Sequence, residues 1–375
     1  MLYRHMKKAD RKLSILGFGC MRLPQTADLH VDEPKATEML RYAIDRGVNY
    51  VDTAYVYHNG ESEPFLGRAL SGGYRQKVNL ATKLPVWMVE TREDMDRILN
   101  EQLKRLQTDH IDFYLLHGLN NRMWNLMLDL NVTEFLDGAL SDGRISHAGF
   151  SFHDEVRIFR EIVDAYDWTL CQIQYNFMDE DVQAGTEGLT YAAGKGLGIV
   201  IMEPLRGGLL TRESNEIKKA WASSGVSRTP AEWGLRWLWN KPEITVVLSG
   251  MSSMTQVKEN LKYAQDGKPG SLTAPELAAY DTVKAVYRKR MKVPCTQCRY
   301  CQPCPGGIKI PECFAAYNDA FIYEDATSAK VSYDADMENG GSASECLDCG
   351  VCESLCPQQI AIRACLKDVV KLFRH

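Results

Sequence analysis

No run of apolar residues in this 375-residue chain approaches the ~20 needed to cross a bilayer, so the sequence offers no membrane span. The N-terminal stretch MLYRHMKKADRKLSILGFG holds basic residues but no signal-type apolar core, and a cytoplasmic protein is expected. Neither charge sign dominates: 44 Lys and Arg stand against 49 Asp and Glu, for a net charge of -5. That balance lays no electrostatic footprint for nucleic acid or an anionic membrane, and no local basic patch replaces it. A GxGxxG turn after the first β-rich run is missing too, which counts against an open dinucleotide-binding sheet. Heptad repeats are absent, and oligomeric state is left open.

What is present is alternation. Up to about residue 265, short β-rich runs alternate with longer stretches of helical spacing. The runs are LSILGFG from Leu13, VNYVD from Val48, VNLATK from Val78, IDFYLLH from Ile111, ISHAGFS from Ile145, LCQIQY from Leu170, GIVIM from Gly198 and ITVVLSG from Ile244. Several are nearly continuous in apolar residues, as strands buried on both faces must be. Between the first two, EPKATEMLRYAIDRG puts Met39, Leu40, Ala43 and Ile44 on one helical face and stops at a glycine. TREDMDRILNEQLKRLQ opens on a capping threonine with an acidic first turn and ends basic, as the helix dipole favours. Eight strand–helix units over roughly 250 residues predict an α/β fold, a closed (β/α)8 TIM barrel. The expected organisation is a barrel over 1–265, a connector loop and helix over 266–293 opening at the break QDGKPGSL, and a cysteine-rich domain over 294–375.

Reactive groups in such a barrel sit at the C-terminal ends of strands. The second strand ends in Asp52, with Tyr57 shortly after; the third ends in Lys83 and the fourth in His117. A tyrosine ordinarily titrates near ~10, an ammonium set against it lowers that value, and an aspartate holds the ammonium in place. Tyr57 then becomes a usable general acid, and a neutral His117 can donate a hydrogen bond to a carbonyl oxygen. The set holds no activated Ser or Cys nucleophile; a hydride from a bound cofactor would complete the reaction. Barrel topology also directs Trp87, Leu119, Asn120 and Trp124 toward a pocket for a small carbonyl compound, with a packing role an equal reading for Trp87 or Trp124.

Further motifs accompany these residues: GFGCMRLP at 17–24, the DTAxxY run from Asp52 to Tyr57, ATK ending in Lys83, DFYLLH ending in His117, GFS at 149–151, QIQYN at 172–176, EPLRGGLL at 203–210 and SGMSSMTQVKEN at 249–260. With them the whole barrel resembles the aldo/keto reductase family. The resemblance implies an oxidoreductase that moves a hydride between NADPH or NADH and an aldehyde or ketone, or the reverse on an alcohol, with Asp52, Tyr57, Lys83 and His117 as its catalytic tetrad. It implies cofactor contacts as well: Gly19 and Met21 after the first strand, Ser151 and Gln174 at the nicotinamide amide, and Met202 beside the ring. Pro204, Leu205 and Gly208 would form the loop over the pyrophosphate, with Gly250, Ser252, Gln256 and Asn260 toward the adenosine end. Three departures from the family pattern stand out. Phe152 and His153 follow Ser151 where many members carry Asn, and Met202 stands where an aromatic ring often stacks. Gly250 and Gln256 stand where NADP-preferring relatives often carry basic residues, with Lys258 the nearest substitute, so the choice between NAD and NADP is left open.

Of 12 cysteines, all but four crowd into 295–304 and 346–356. In a reducing cytosol such crowding favours metal ligation over disulfides, while the scattered Cys20, Cys171, Cys313 and Cys365 read as buried fillers. Cys346, Cys349, Cys352 and Cys356, followed by Pro357, form the run that binds a [4Fe–4S] cluster, its fourth cysteine serving the other cluster of a pair. CTQCRYCQPCP adds Cys295, Cys298, Cys301 and Cys304. Crossed ligation predicts one site of Cys295, Cys298, Cys301 and Cys356 and another of Cys346, Cys349, Cys352 and Cys304. Structural zinc prefers two separated pairs per ion, which this unbroken rhythm is not. The tail thus resembles an α+β ferredoxin-like domain with two 4Fe-4S clusters, and the acidic, Gly/Ser-rich YEDATSAKVSYDADMENGGSASE between the motifs reads as a partner-facing loop or a locally disordered one. Hydride transfer moves two electrons and a cluster one, and the sequence shows no flavin motif to convert between them. Three readings follow: a reductase whose clusters exchange electrons with an external redox partner, a ferredoxin or a flavoprotein, or with a substrate intermediate; clusters that are structural or sensory; and an inactive barrel carrying an electron-transfer or interaction module.

Overall fold

Ten strands are present in the computed structural model, which describes residues 1–374: β1 (Tyr3–Met6), β2 (Arg11–Ser14), β3 (Leu16–Gly19), β4 (Tyr50–Asp52), β5 (Asn79–Leu84), β6 (Ile111–Leu119), β7 (Ile145–Phe152), β8 (Leu170–Gln174), β9 (Gly198–Met202) and β10 (Ile244–Ser249). The last eight close into a parallel barrel in the order β10-β3-β4-β5-β6-β7-β8-β9. Each β-rich run of the sequence supplies one barrel strand. The first divides, since Leu13 and Ser14 end β2 and the barrel strand begins at Leu16.

The antiparallel hairpin β1–β2 is not legible from residue pattern, being short and carrying Arg4, His5, Arg11 and Lys12. Its apolar residues nevertheless complete the barrel interior, where Met6 and Leu13 are buried with Tyr50, Phe113, Leu115, Leu170 and Val246. The Arg4 guanidinium donates to the carbonyls of Trp239, Lys241 and Ile244, and burial lowers its pKa to about 10.

The outer helices form where the spacing places them. Glu33–Ile44 buries Ala36, Met39, Leu40, Ala43 and Ile44, and the chain turns back through Gly47 at a φ of 96°. Arg92–Leu106 opens on a reciprocal Thr91–Asp94 capping box and buries Met95, Ile98, Leu99 and Leu106 together with one amide, Gln102. It crosses the helix Ser62–Ala69 at Gly67, where a Cβ would stand 2.5 Å from the Arg105 carbonyl oxygen.

Two compact units divide the chain without following its order. The first holds Met1–Tyr175, Asp179–Pro204 and Leu235–Ser271; the second holds Asn176–Met178, Leu205–Gly234 and the described residues from Leu272 onward. Within the second, Trp221 and Trp233 stack with centroids 4.7 Å apart, and Tyr280 of the helix Ala274–Arg290 donates to the Trp233 carbonyl at 2.7 Å. The cysteine-bearing end has its own core of Val293, Ile308, Ile310, Phe314, Leu366, Val369 and Phe373.

An α+β tail was expected; among the described residues the chain after Ser249 forms helices and turns only, including Ile310–Ile322, Ala326–Asp336 and Ile362–Phe373. Backbone that closes around sulfur directs its N–H groups there instead of into a ladder, as Gln297 N–H does toward Cys295 Sγ at 3.4 Å. The segment between the cysteine motifs is also more ordered than its composition suggests. Asp325 caps the helix Ala326–Asp336 by accepting from Ser328 N–H at 2.9 Å, and buried Tyr333 stacks on Phe373 at 4.7 Å.

Gly67→Ala is expected to destabilise the protein by ~1–3 kcal/mol in urea unfolding, because the two helices have no slack to give. Gly138→Ala, on the helix Val132–Ser141 with nothing within 4 Å of the added methyl, is expected to stabilise by up to ~1 kcal/mol.

Candidate functional site

At the C-terminal end of β4, Asp52 is buried, and on neighbouring β5 Lys83 is fully enclosed. Lys83 Nζ donates to Asp52 Oδ1 at 2.7 Å and to the Thr53 carbonyl at 2.7 Å. Two of the three ammonium donors are thereby committed. Nζ lies 5.1 Å from the centroid of the Tyr57 ring. Burial raises the Asp52 pKa and the Lys83 charge opposes that rise, while among the described residues Asp52 Oδ2 has no hydrogen-bond partner.

Tyr57 opens a short turn, Tyr57–Gly60, in which His58 and Asn59 take left-handed φ values of 52° and 54°. Its ring meets His117 of β6 edge-on, with centroids 6.0 Å apart, and Trp87 lies 5.0 Å from the same imidazole. Burial first, then the Lys83 charge, then His153 hold the His117 pKa well below its ordinary value. The imidazole is therefore neutral at physiological pH and can donate a single N–H without adding charge. An acid, an ammonium, a phenol and an imidazole thus converge, which gives the chemistry of a proton donor beside a hydrogen-bonding site for a carbonyl oxygen.

Of the pocket residues expected from topology, Trp87 stays 42% exposed above His117 and fits that role. Trp124 does not: it is buried against Trp168 at 6.1 Å and belongs to the core. Leu119 is buried, and Asn120 caps the helix Asn121–Asp129 by accepting from Met123 N–H at 2.9 Å.

The residues that the family resemblance assigns to a cofactor lie at the ends of successive strands. Gly19 ends β3, where a Cβ would press on the Ser249 carbonyl at 3.3 Å, and Met21 follows in the turn Cys20–Arg22. Ser151 Oγ accepts from Gly118 N–H at 2.7 Å. Gln174 ends β8, donating to Asp179 at 3.1 Å and accepting from Gln183 at 3.2 Å; Gln183 in turn meets His153 Nδ1 at 3.1 Å. Met202 ends β9 with its sulfur accepting from Gln172, and Pro204 follows shortly after. Ser252 N–H donates to Gln256 Oε1 at 2.8 Å, and Asn260 Nδ2 to Ser249 Oγ at 3.0 Å. Gly250 leaves room for the Arg22 side chain, whose carbons would lie 3.1–3.2 Å from a Cβ there, and Lys258 Nζ lies over the Tyr42 ring. Leu205 and Gly208 belong to the second unit. The chain His153–Gln183–Gln174–Asp179 is not evident in the sequence, because its members come from separate loops.

In the second unit the clustered cysteines ring two cavities, and no disulfide joins them among the described residues. Cys295, Cys298, Cys301 and Cys356 line one, walled by Phe314, Ile360 and Ile362. Cys304, Cys346, Cys349 and Cys352 line the other. Among the described residues no three His, Cys, Asp or Glu side chains converge on a point that would hold a single metal ion.

A profile described as the aldo/keto reductase family matches residues 15–268. The chain belongs to the aldo/keto reductase family. A second profile, for a 4Fe-4S dicluster domain, matches residues 294–361, so this aldo/keto reductase carries an iron–sulfur domain. Over 312 residues it is 25% identical to the uncharacterized oxidoreductase YqkF of Bacillus subtilis, covering 74% of this chain and 95% of that protein. The holo form of an aldo-keto reductase from Bacillus halodurans superposes with a TM-score of 0.63 at 28% identity, covering 76% and 96% of the two chains. An aldo/keto reductase of Klebsiella pneumoniae in complex with NADP and acetate shares the fold with a TM-score of 0.60 at 24% identity, covering 73% of this chain and 93% of that one.

Acid sensitivity follows from the imidazoles. Burial lowers the His153 pKa to about 4 and that of His117 well below 6.5, so the unfolded chain binds protons that the folded one refuses. Stability from these groups is complete above the unfolded value of 6.5 and is lost as pH falls toward the folded one. The melting temperature is expected to drop on acidification through this window and to drop less in His153→Gln.

Proposed function

We propose that this aldo/keto reductase reduces a small aldehyde or ketone, or oxidises the corresponding alcohol, with Tyr57 as the general acid and base. The observation that carries the reading is the buried Lys83 ammonium, clamped by Asp52 and the Thr53 carbonyl and standing over the Tyr57 ring. A positive charge so placed favours the phenolate and brings the phenol into the range where it exchanges protons near neutral pH. Neutral His117 donates to the carbonyl oxygen and orients it, with Trp87 walling the pocket beside it.

A bound nicotinamide dinucleotide, NADPH or NADH, supplies the hydride. The residues fit such a group: Ser151 and Gln174 offer a hydroxyl and an amide to its carboxamide, and Met202 would lie beside the ring. Pro204, Leu205 and Gly208 would form the expected loop over the pyrophosphate, in which Gly207 and Gly208 take φ values of 66° and 97° and the Gly208 N–H donates to the Leu205 carbonyl at 2.9 Å. Gly19, Met21, Gly250, Ser252, Gln256 and Asn260 complete the expected contacts.

Two [4Fe–4S] clusters, one on Cys295, Cys298, Cys301 and Cys356 and the other on Cys304, Cys346, Cys349 and Cys352, would supply one-electron chemistry. The partition of the eight thiols between two cavities supports this crossed assignment. Cys349 is exposed, with Leu347, Val351 and Leu355 exposed nearby in the same stretch, which favours exchange with an external redox protein over a purely structural role.

Tyr57→Phe is expected to lower carbonyl turnover by roughly 10²–10⁴ while leaving nicotinamide affinity, read by fluorescence titration, near that of the parent. Turnover close to the parent's would overturn the assignment of the acid. Cys346→Ala is expected to lose the iron of one cluster per chain, and an undiminished iron count would contradict the ligand set.

A further inference from the structure

Lys83 faces the barrel interior, but its backbone carbonyl is satisfied from outside the barrel. β4 pairs with β5 only as far as Asp52 opposite Ala81, and Thr53 N–H then donates to the Ala81 carbonyl at 2.9 Å. In a strand, carbonyls two residues apart point to the same neighbour. The Lys83 carbonyl therefore points to the side where β4 has already ended. Gln102 fills the gap: its Nε2 donates to that carbonyl at 3.0 Å and to Glu63 Oε1 at 2.7 Å. Its Oε1 accepts from Tyr114 O–H at 2.8 Å, so the amide is held at both ends. Thr82 Oγ1 donates to the same Glu63 oxygen at 2.7 Å, and Arg105 pairs with the other Glu63 oxygen at 3.5 Å. Gln102, Glu63 and Thr82 are fully buried, an expensive setting for polar groups that only build a core.

We propose that Gln102 is a positioning residue for the reduction, completing the sheet ladder at Lys83 so that the ammonium is held against Tyr57. This deepens the reading of Tyr57 as the acid and rests on it. Gln102 touches neither substrate nor cofactor; it acts through the Lys83 backbone. The titratable groups facing Lys83 and Tyr57 are Asp52, Cys20 and His117, with His153 beyond the imidazole and Glu63 and Arg105 on the outer side of β5.

The test is the pH profile of kcat for Gln102→Met, which keeps length and helix propensity but removes the amide. With the ammonium less closely held, Tyr57 becomes a weaker acid. The alkaline limb of reduction is expected to move up by about one pH unit and the plateau kcat to fall roughly tenfold, with nicotinamide affinity unchanged. Tyr114→Phe, which frees only one end of the amide, is expected to move the limb the same way by less. A folded Gln102→Met protein with the parent's limb overturns the inference; if that variant does not fold, an unmoved limb in Tyr114→Phe does so. A merely structural role would lower the melting temperature and leave the profile in place. Tyr57→Phe measured alongside separates the failures: if it remains active, the reading of the acid has failed, and if it is inactive while the limbs stay put, only the Gln102 inference has.

Discussion

An ammonium sealed inside a barrel is the constraint on which the first unit depends. A lone buried charge costs several kcal/mol even after relaxation, so Lys83 is tolerable only with Asp52 and the Thr53 carbonyl in hydrogen-bond reach. That requirement explains the local architecture. β4 must stop at Asp52 to present the carboxylate, the chain must turn so that Thr53 offers its carbonyl inward, and the ladder left unfinished on β5 must be closed by Gln102 from the helix outside. What remains is a cation with one donor left over, beside the Tyr57 ring. Coulomb's law then acts on whichever state of the phenol carries charge, from an ammonium that is itself buried.

The second unit answers a different constraint. Its cysteine-bearing end is built from short helices and turns whose core is small, and the half-buried cysteines pack against that core. Metal ligation contributes folding energy in comparable modules. The same unit draws in Leu205–Gly234, where Trp221 and Trp233 stack against Tyr280. Arg290, at the end of its helix, pairs with Glu216 at 2.6 Å and with Glu324 at 3.0 Å, tying this segment to the cysteine-bearing part.

Much of the barrel was legible because strands buried on both faces leave nearly continuous apolar runs, and because polar residues at their ends have nowhere else to point. Asp52, Lys83 and His117 could be picked out for that reason, and the structure brings them together with Tyr57. The hairpin β1–β2 escaped notice because its outward charges hide the two residues, Met6 and Leu13, that matter to the core. Topology left Trp124 between pocket and packing, and its indole packs on the inner face of its helix. The helix Ala326–Asp336 lies in a segment whose Gly/Ser content argued for a loop; the capping Asp325 and buried Tyr333 outweigh it locally. Gln102 reads in sequence as a polar interruption of an apolar helical face, and only the register of β4 against β5 reveals what it is for.

The most direct test is the titration of Tyr57 itself, by NMR of protein labelled at the tyrosine ring carbons, in the parent and in Lys83→Met. The account expects the Tyr57 resonance to titrate well below ~10 in the parent and to return to that value or above when the ammonium is removed. A Tyr57 that titrates at the same pH in both proteins would contradict the claim that the buried lysine sets its acidity.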